Sequence, residues 1–368
     1  MNPFIISAYY GPDYFCDREK ETERLIGAVV NGRNMVVSSL RRMGKTGLIK
    51  HFLHQLPADE FFLVYVDIDQ TDSLNDLVKV LINSLIKIKQ QSFSERIIDF
   101  IKQFHPVISF HPVTGLPEVE FRQTGASQPE TSLVAVLEHL EKLERPVVVA
   151  VDEFQRINAY PDNRTEAFLR SIIQHLHNVR FIFSGSSRNI LLSMFGDHSR
   201  PFYQSADFLS LERLDPIIYQ EFILHHFTAT GRTIGTDDIA DCIAWTDNHT
   251  FYSQYLFNTI WGSGSSVIDA ETIREIKENI LSSRESMYLN YRNLLTGNQY
   301  QLLKAIALEG GAEHPNSIEF IRKYNLGSAS TVNSALKTMM EKEMIYFESG
   351  RYKLYDVFQF HWFRKMTG

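Results

Sequence analysis

Ser39-Leu40-Arg41-Arg42-Met43-Gly44-Lys45-Thr46 is the stretch on which the reading of this 368-residue chain turns. It follows the pattern G-x-x-x-x-G-K-[ST] at every fixed position except the first, where Ser39 stands for Gly. Before it lies Met35-Val36-Val37-Ser38-Ser39, a short β-favouring run. After it, Leu48, Ile49, Phe52 and Leu53 recur at helical spacing from Lys45 to Gln55. Strand, loop and helix in that order turn backbone N–H groups inward at a helix N-terminus, where they can cradle an anion such as a polyphosphate. Lys45 is then expected to neutralise terminal phosphates and the Thr46 hydroxyl to hold a divalent cation. The candidate binding residues are Ser39, Leu40, Arg41, Arg42, Met43, Gly44, Lys45, Thr46 and Gly47.

Outward from the loop the chain alternates strand and helix patterns. Phe61 to Asp67 is a nearly continuous apolar run, and Leu74 to about Ile88 is helical. A helix is expected from Leu133 to Leu143. Pro146 to Val151 then reads as a strand apolar on both faces, the mark of a central position in a parallel sheet. It ends at Asp152-Glu153. Thr165 to His177 supplies a further helix, Phe181 to Ser184 a strand, and Phe208 to Leu211 another. The pattern predicts an α/β, doubly wound domain with five parallel strands. In it Asp152 is expected to hold the metal through water, and Glu153 to orient and deprotonate an attacking water. At the end of the next strand, within Phe183-Ser184-Gly185-Ser186-Ser187-Arg188, Ser186 is the first candidate to sense the terminal phosphate and Ser184 the second. Lys45, Glu153 and Ser186 are the catalytic candidates, and Thr46 and Asp152 the metal-binding ones. Arg188 and Arg200 read as solvated loop arginines.

Residues 91–130 interrupt this alternation with a helical pattern from Glu95 to Phe104. Two short strands follow, Val107-Ile108-Ser109-Phe110 and Glu118-Val119-Glu120-Phe121, around a turn with Pro112, Gly115 and Pro117. After Asp215-Pro216 the pattern becomes wholly helical. From about Gly297 three helices and two strands around Ser349-Gly350 describe a winged helix-turn-helix. The expected organisation is a nucleotide-binding core at 1–212, a helical lid at 213–296 and a winged domain at 297–368.

A net charge of -7, with 44% hydrophobic and 22% charged residues, is ordinary for a folded multidomain chain and argues against a protein coated all over with nucleic acid. The winged segment holds nine Lys and Arg against seven Asp and Glu, so the tail alone is faintly basic. Cys16 and Cys242 lie far apart, which points to neither a zinc site nor a disulfide framework. The histidines show no repeated metal spacing. Phe358, Phe360, Trp362 and Phe363 read as packing core. No segment reaches the roughly 18 apolar residues of a membrane span, and no secretory leader pattern is present, so a cytoplasmic location away from membranes is expected.

The loop Arg41-Arg42-Met43-Gly44-Lys45-Thr46 resembles the R-R-x-G-K-T form found in prokaryotic AAA-type ATPases of the archaeal ATPase family, relatives of the STAND signalling NTPases, and Asp152-Glu153-Phe154-Gln155 resembles that family's D-E-[FI]-Q box. Phe15-Cys16-Asp17-Arg18-Glu19-Lys20-Glu21 is similar to its N-terminal box, an aromatic followed by Arg-Glu-x-Glu, which implies that Arg18 and Glu19 lie near the nucleotide base. Pro201-Phe202-Tyr203 is similar to a P-[LF]-[FY]-G-R element, with Gln204 and Ser205 at the Gly and Arg positions. Asn248-His249-Thr250 replaces the G-x-P usual in the lid. The resemblance implies ATP and Mg2+ as cofactors and a slow regulatory ATPase whose lid and winged domain respond to ATP and ADP. Its partners are then DNA through the winged helix, a docking protein, or a second copy. Two other readings fit the motifs: a DNA-binding ATPase similar to origin-recognition proteins, and a non-catalytic scaffold that docks a partner.

Overall fold

The structure is a computed structural model that describes residues 1–88, 106–110, 117–121 and 129–366. The chain divides into two compact units, Ala8–Glu212 and a second made of Met1–Ser7 with Arg213–Gly368. In the first unit the order is α1 (Glu19–Val30), β1 (Met35–Ser38), α2 (Lys45–Gln55), β2 (Phe62–Asp67), α3 (Leu74–Ile86), β3 (Pro106–Phe110), β4 (Pro117–Phe121), α4 (Pro129–Glu141), β5 (Val147–Asp152), α5 (Thr165–Ile173), β6 (Val179–Ser184), α6 (Arg188–Gly196) and β7 (Asp207–Ser210). Five strands form one sheet in the order β2-β5-β6-β1-β7, all neighbours parallel. The sheet is the α/β architecture expected from the alternation.

Every residue of β5 is buried, which is why its sequence is Val147-Val148-Val149-Ala150-Val151 without a polar face. β2 alternates instead, and its half-buried positions include Tyr65. The register sets the ends of the strands side by side: Asp67 opposes Asp152, Phe183 opposes Val151, and Ser184 opposes Val37. The strand after β1 in the chain, β2, lies at the far edge with two strands between them. The chain therefore leaves β1 at a topological switch, where a crevice opens at the carboxyl ends of parallel strands.

β3 and β4 pair antiparallel with Ile108 opposite Val119, as expected for the hairpin of the insertion. The helix expected at Glu95–Phe104 lies outside the described residues. α5 ends at Ile173, four residues short of expectation, because Glu141 accepts from the backbone N–H groups of His177 and Asn178 at 2.8 and 2.9 Å and draws that turn away from a helix.

The second unit begins its helical part with α7 (Pro216–Ala229), where Asp215 caps the N-terminus by accepting from Ile217 N and Ile218 N and Pro216 fills the first helical position. α8 (Thr236–Trp245), α9 (Thr250–Gly262), α10 (Ala270–Ser283) and α11 (Glu285–Leu294) follow. The stretch is not wholly helical, contrary to the sequence reading: β8 (Thr233–Ile234) and β9 (Val267–Ile268) pair in parallel. Two residues are too few to show a period of two. Phe4, fully buried, packs its ring against Phe227, Phe257 and Trp261 at centroid distances of 5.8, 5.6 and 5.9 Å.

The winged part contains α12 (Gly297–Leu308), started by a capping box between Thr296 and Gln299, then α13 (Ile318–Tyr324), α14 (Ala329–Glu341) and the antiparallel β10 (Ile345–Glu348) and β11 (Arg351–Leu354). A final helix, α15 (Val357–Lys365), carries the terminal aromatics. Phe358, Trp362 and Phe363 are buried as expected of core, while Phe360 is only half-buried. Trp245 stacks on His361 at 4.5 Å, and Arg213 donates to Asp247, Glu348 and Tyr346 at 2.7 to 3.0 Å, which ties the wing to the helical part. No helix among the described residues is long and apolar enough to cross a membrane.

Candidate nucleotide site

The loop after β1 turns through left-handed conformations at Arg42 (φ 60°) and Gly44 (φ 94°), so that α2 starts at Lys45. A residue without a Cβ is needed most at Gly44, where the chain reverses directly into the helix. Ser39 is different. It is not among the residues with positive φ, so nothing in its backbone calls for glycine. Ser39 is buried, its Oγ donates to the Leu40 carbonyl at 2.6 Å, and the same oxygen accepts from Lys45 Nζ at 3.1 Å. The departure from the usual first residue thus supplies an acceptor for the lysine. Lys45 is itself buried, whereas Arg41 and Arg42 are exposed on the outer side of the loop.

Asp152, 3% exposed, receives hydrogen bonds on both oxygens. Thr46 Oγ1 donates to Oδ2 at 2.6 Å and Tyr65 Oη donates to the same oxygen at 3.0 Å. The fully buried Ser184 donates to Oδ1, as does Glu153 N at 3.1 Å. A carboxylate offers about four lone-pair sites, and here all are engaged. The three side chains come from α2, β2 and β6, so this carboxylate ties together three elements. Burial, and then the neighbouring Asp152, push the Tyr65 phenol well above its ordinary range and keep it a donor.

Glu153 adopts φ 58°, a left-handed conformation that costs a non-glycine residue about 1 kcal/mol. The bend brings its Oε2 to Ser186, whose N and Oγ donate to it at 3.1 and 2.8 Å, and to Gln155 Nε2 at 2.5 Å. Gly185 makes room for this arrangement: a Cβ on it would lie 1.8 Å from Gln155 Oε1. Phe154 anchors the bend from beneath, with its ring 4.4 Å from Phe183 and 5.4 Å from Phe202.

The residues present fit a magnesium–nucleotide complex. While the Thr46 hydroxyl donates its hydrogen bond to Asp152, its oxygen keeps lone pairs for a metal. Partial burial raises the Asp67 carboxyl, and Asp152, Asp69 and Glu153 push it further up, the sign of concentrated negative charge at this end of the sheet. Among the described residues there is no group of three or more His, Cys, Asp or Glu able to hold a metal alone.

The structure brings Ser39, Lys45, Thr46, Asp152, Ser184, Glu153 and Ser186 into one chain of bonded neighbours at the carboxyl ends of β1, β5 and β6. Phe15 lies beside α2, stacked on His51 at 4.2 Å and 3.5 Å from where a Cβ on Gly47 would be. Arg18 is buried with its guanidinium on Glu21 and on the Glu212 carbonyl, at 3.0 and 2.7 Å, while Glu19 is exposed. Arg200 pairs with Glu166 and Asn158 rather than standing solvated, and Arg188 is half-buried. Sequence reasoning missed Tyr65. Its one signal is a hydroxyl in an otherwise apolar run, two residues before Asp67.

Residues 15–256 match the family described as the ATPase domain predominantly from Archaea, and residues 286–365 match a probable winged helix domain. No curated protein matches the chain. Among solved structures, a Walker-type ATPase of Pyrococcus abyssi is similar with a TM-score of 0.70 at 17% identity, covering 98% of this chain and 99% of that one. The ORC2 protein of Aeropyrum pernix, solved as ADPNP-ADP complexes, gives 0.62 at 14% identity, covering 100% and 98%. The ORC1 protein of the same organism in complex with DNA gives 0.54 at 13%, covering 98% and 95%. At these identities the likeness is one of fold. The match of a single family to residues 15–256, over a sheet whose switch point carries the Lys45, Thr46, Asp152 and Glu153 cluster, decides the assignment: the chain belongs to the family of ATPase domains found predominantly in Archaea.

Proposed function

We propose that the chain binds ATP with magnesium at the Ser39–Thr46 loop, hydrolyses it, and acts as a nucleotide-driven regulatory switch of the AAA type related to STAND signalling NTPases. The observation that carries this reading is the 2.6 Å bond from Thr46 to Asp152 with Glu153 as the next residue. Lys45 leaves Ser39 for the terminal phosphates, and the loop N–H groups hold the phosphate chain. Thr46 and Asp152 would hold the magnesium. When bound, magnesium neutralises charge developing on the phosphate oxygens. Glu153 would take the proton of the attacking water, while the bonds on its Oε2 fix the carboxylate. Ser186 acts through Glu153, since its N and Oγ both lie on that carboxylate. The domain boundaries at 212 and 296, and the response of the lid and winged parts to ATP against ADP, belong to this proposal.

Steady-state phosphate release tests it. Release is expected with ATP and Mg2+ and is expected to vanish on chelation. Absence of release at any enzyme concentration, with nucleotide bound, favours the non-catalytic scaffold.

DNA contact through the winged part is a second reading, favoured by the exposed polar face of α14, where Ser330, Asn333, Ser334 and Lys337 all reach solvent. The wing cations are already paired: Arg351 with Glu313 at 3.3 Å and Lys353 with Glu348 at 3.1 Å. Lys337→Ala is therefore expected to flatten the dependence of log affinity on log salt by about 0.9, and Arg351→Ala by less. Duplex titrations at two salt concentrations check this. A wild type that binds no duplex with ATP, with ADP or without nucleotide removes the DNA reading.

A further inference from the structure

We infer that Tyr65 is a positioning residue that holds Asp152 in the orientation needed to couple magnesium to nucleotide binding. The inference rests on the reading of Thr46 and Asp152 as the metal-binding pair. Its geometry is specific. Tyr65 stands on β2 opposite Ala150 in register, two residues short of Asp152, and its phenol reaches along the strands to Oδ2 at 3.0 Å. Thr46 reaches the same oxygen from α2 at 2.6 Å, so the two hydroxyls converge on it. On Oδ1 the carboxylate is fixed by Ser184 and by Glu153 N. Without the phenol, Oδ2 has Thr46 as its remaining hydroxyl donor, the residue that must also turn a lone pair to the metal.

Thr46 cannot do both jobs with equal precision. Its one proton defines where its lone pairs point, and that direction follows the position of Oδ2. Tyr65 contacts neither phosphate loop nor metal in this account; it acts by keeping Oδ2 still. Its own placement is supported from α2, where Lys50 Nζ lies 5.2 Å from the ring centroid, so the ring is set against the helix that also carries Lys45 and Thr46. The same side chain thereby spans the loop helix and the acidic strand. Partners that orient a metal ligand change metal affinity or activity by about 10- to 100-fold when removed. Magnesium in nucleotide sites generally takes most of its ligands from phosphate and water, so the lower figure applies.

The substitution Tyr65→Phe removes the hydroxyl and keeps the ring. The measurement is the affinity of the full chain for a fluorescent ADP derivative, once with excess Mg2+ and once with chelator. For the wild type a gain on adding Mg2+ is expected. For Tyr65→Phe that gain should shrink roughly tenfold while the affinity in chelator stays within about twofold. Equal gains in the two proteins overturn the inference and leave the metal-site reading intact. Equal losses with and without Mg2+ also overturn it, since they show that Tyr65 supports the fold of the site in general. A wild type whose affinity ignores Mg2+ contradicts the underlying reading of Thr46 and Asp152 instead. Thermal denaturation of both proteins separates a folding defect from these outcomes.

Discussion

Replacing Lys45 with Ala is expected to weaken ATP binding by roughly 10²-fold or more while the fold survives. The loss follows from charge. Each hydrogen bond to a charged partner contributes about 1.5–3 kcal/mol, so two contacts to terminal phosphates amount to some 3–6 kcal/mol, or about two to four decades of affinity. The fold has little at stake. Lys45 is the first residue of α2, where alanine is well tolerated. Its visible partner, Ser39 Oγ, still donates to the Leu40 carbonyl after the lysine is gone. Isothermal titration with ATP, together with circular dichroism, checks both halves of the expectation. Unaltered affinity removes Lys45 from the site.

Glu153→Gln is expected to leave ATP affinity within about threefold and to lower hydrolysis by roughly 10²-fold or more. The glutamine keeps the length and one carbonyl oxygen, which can still accept from Ser186 N, Ser186 Oγ and Gln155 Nε2. What it lacks is a basic oxygen for the proton of water. The left-handed turn at residue 153 is unaffected, because glutamine and glutamate meet the same backbone sterics. Binding and turnover lost together point to a structural role for the Glu153 carboxylate.

The sheet is legible in the sequence because its central strands are buried on both faces and therefore written in runs of Val, Ile and Phe. The acidic strand end is legible for the same reason: Asp152 is the first polar residue after five apolar ones, and polarity there has to be matched by partners. Other features leave little trace. The β8 and β9 pair is two residues long on each side, and the burial of Phe4 among rings of α7 and α9 joins residues more than two hundred positions apart. α15 is hidden by its aromatics, which mark core without distinguishing helix from strand. Within the site, Ser39 is informative only in three dimensions. The pattern flags a missing glycine, whereas the geometry shows an ordinary backbone and a hydroxyl facing Lys45. Tyr65 escapes notice because its partner lies on a different strand, and pairing across a parallel sheet cannot be read from one segment.

The most direct measurement identifies the nucleotide that stays on the protein. Wild type, Glu153→Gln and Lys45→Ala are each incubated with ATP and Mg2+, separated quickly from free nucleotide and denatured, and the released nucleotide is resolved by chromatography. The account predicts ADP from the wild type, intact ATP from Glu153→Gln and neither from Lys45→Ala. ATP recovered unhydrolysed from the wild type after prolonged incubation, or the same nucleotide in equal amount from all three, contradicts it.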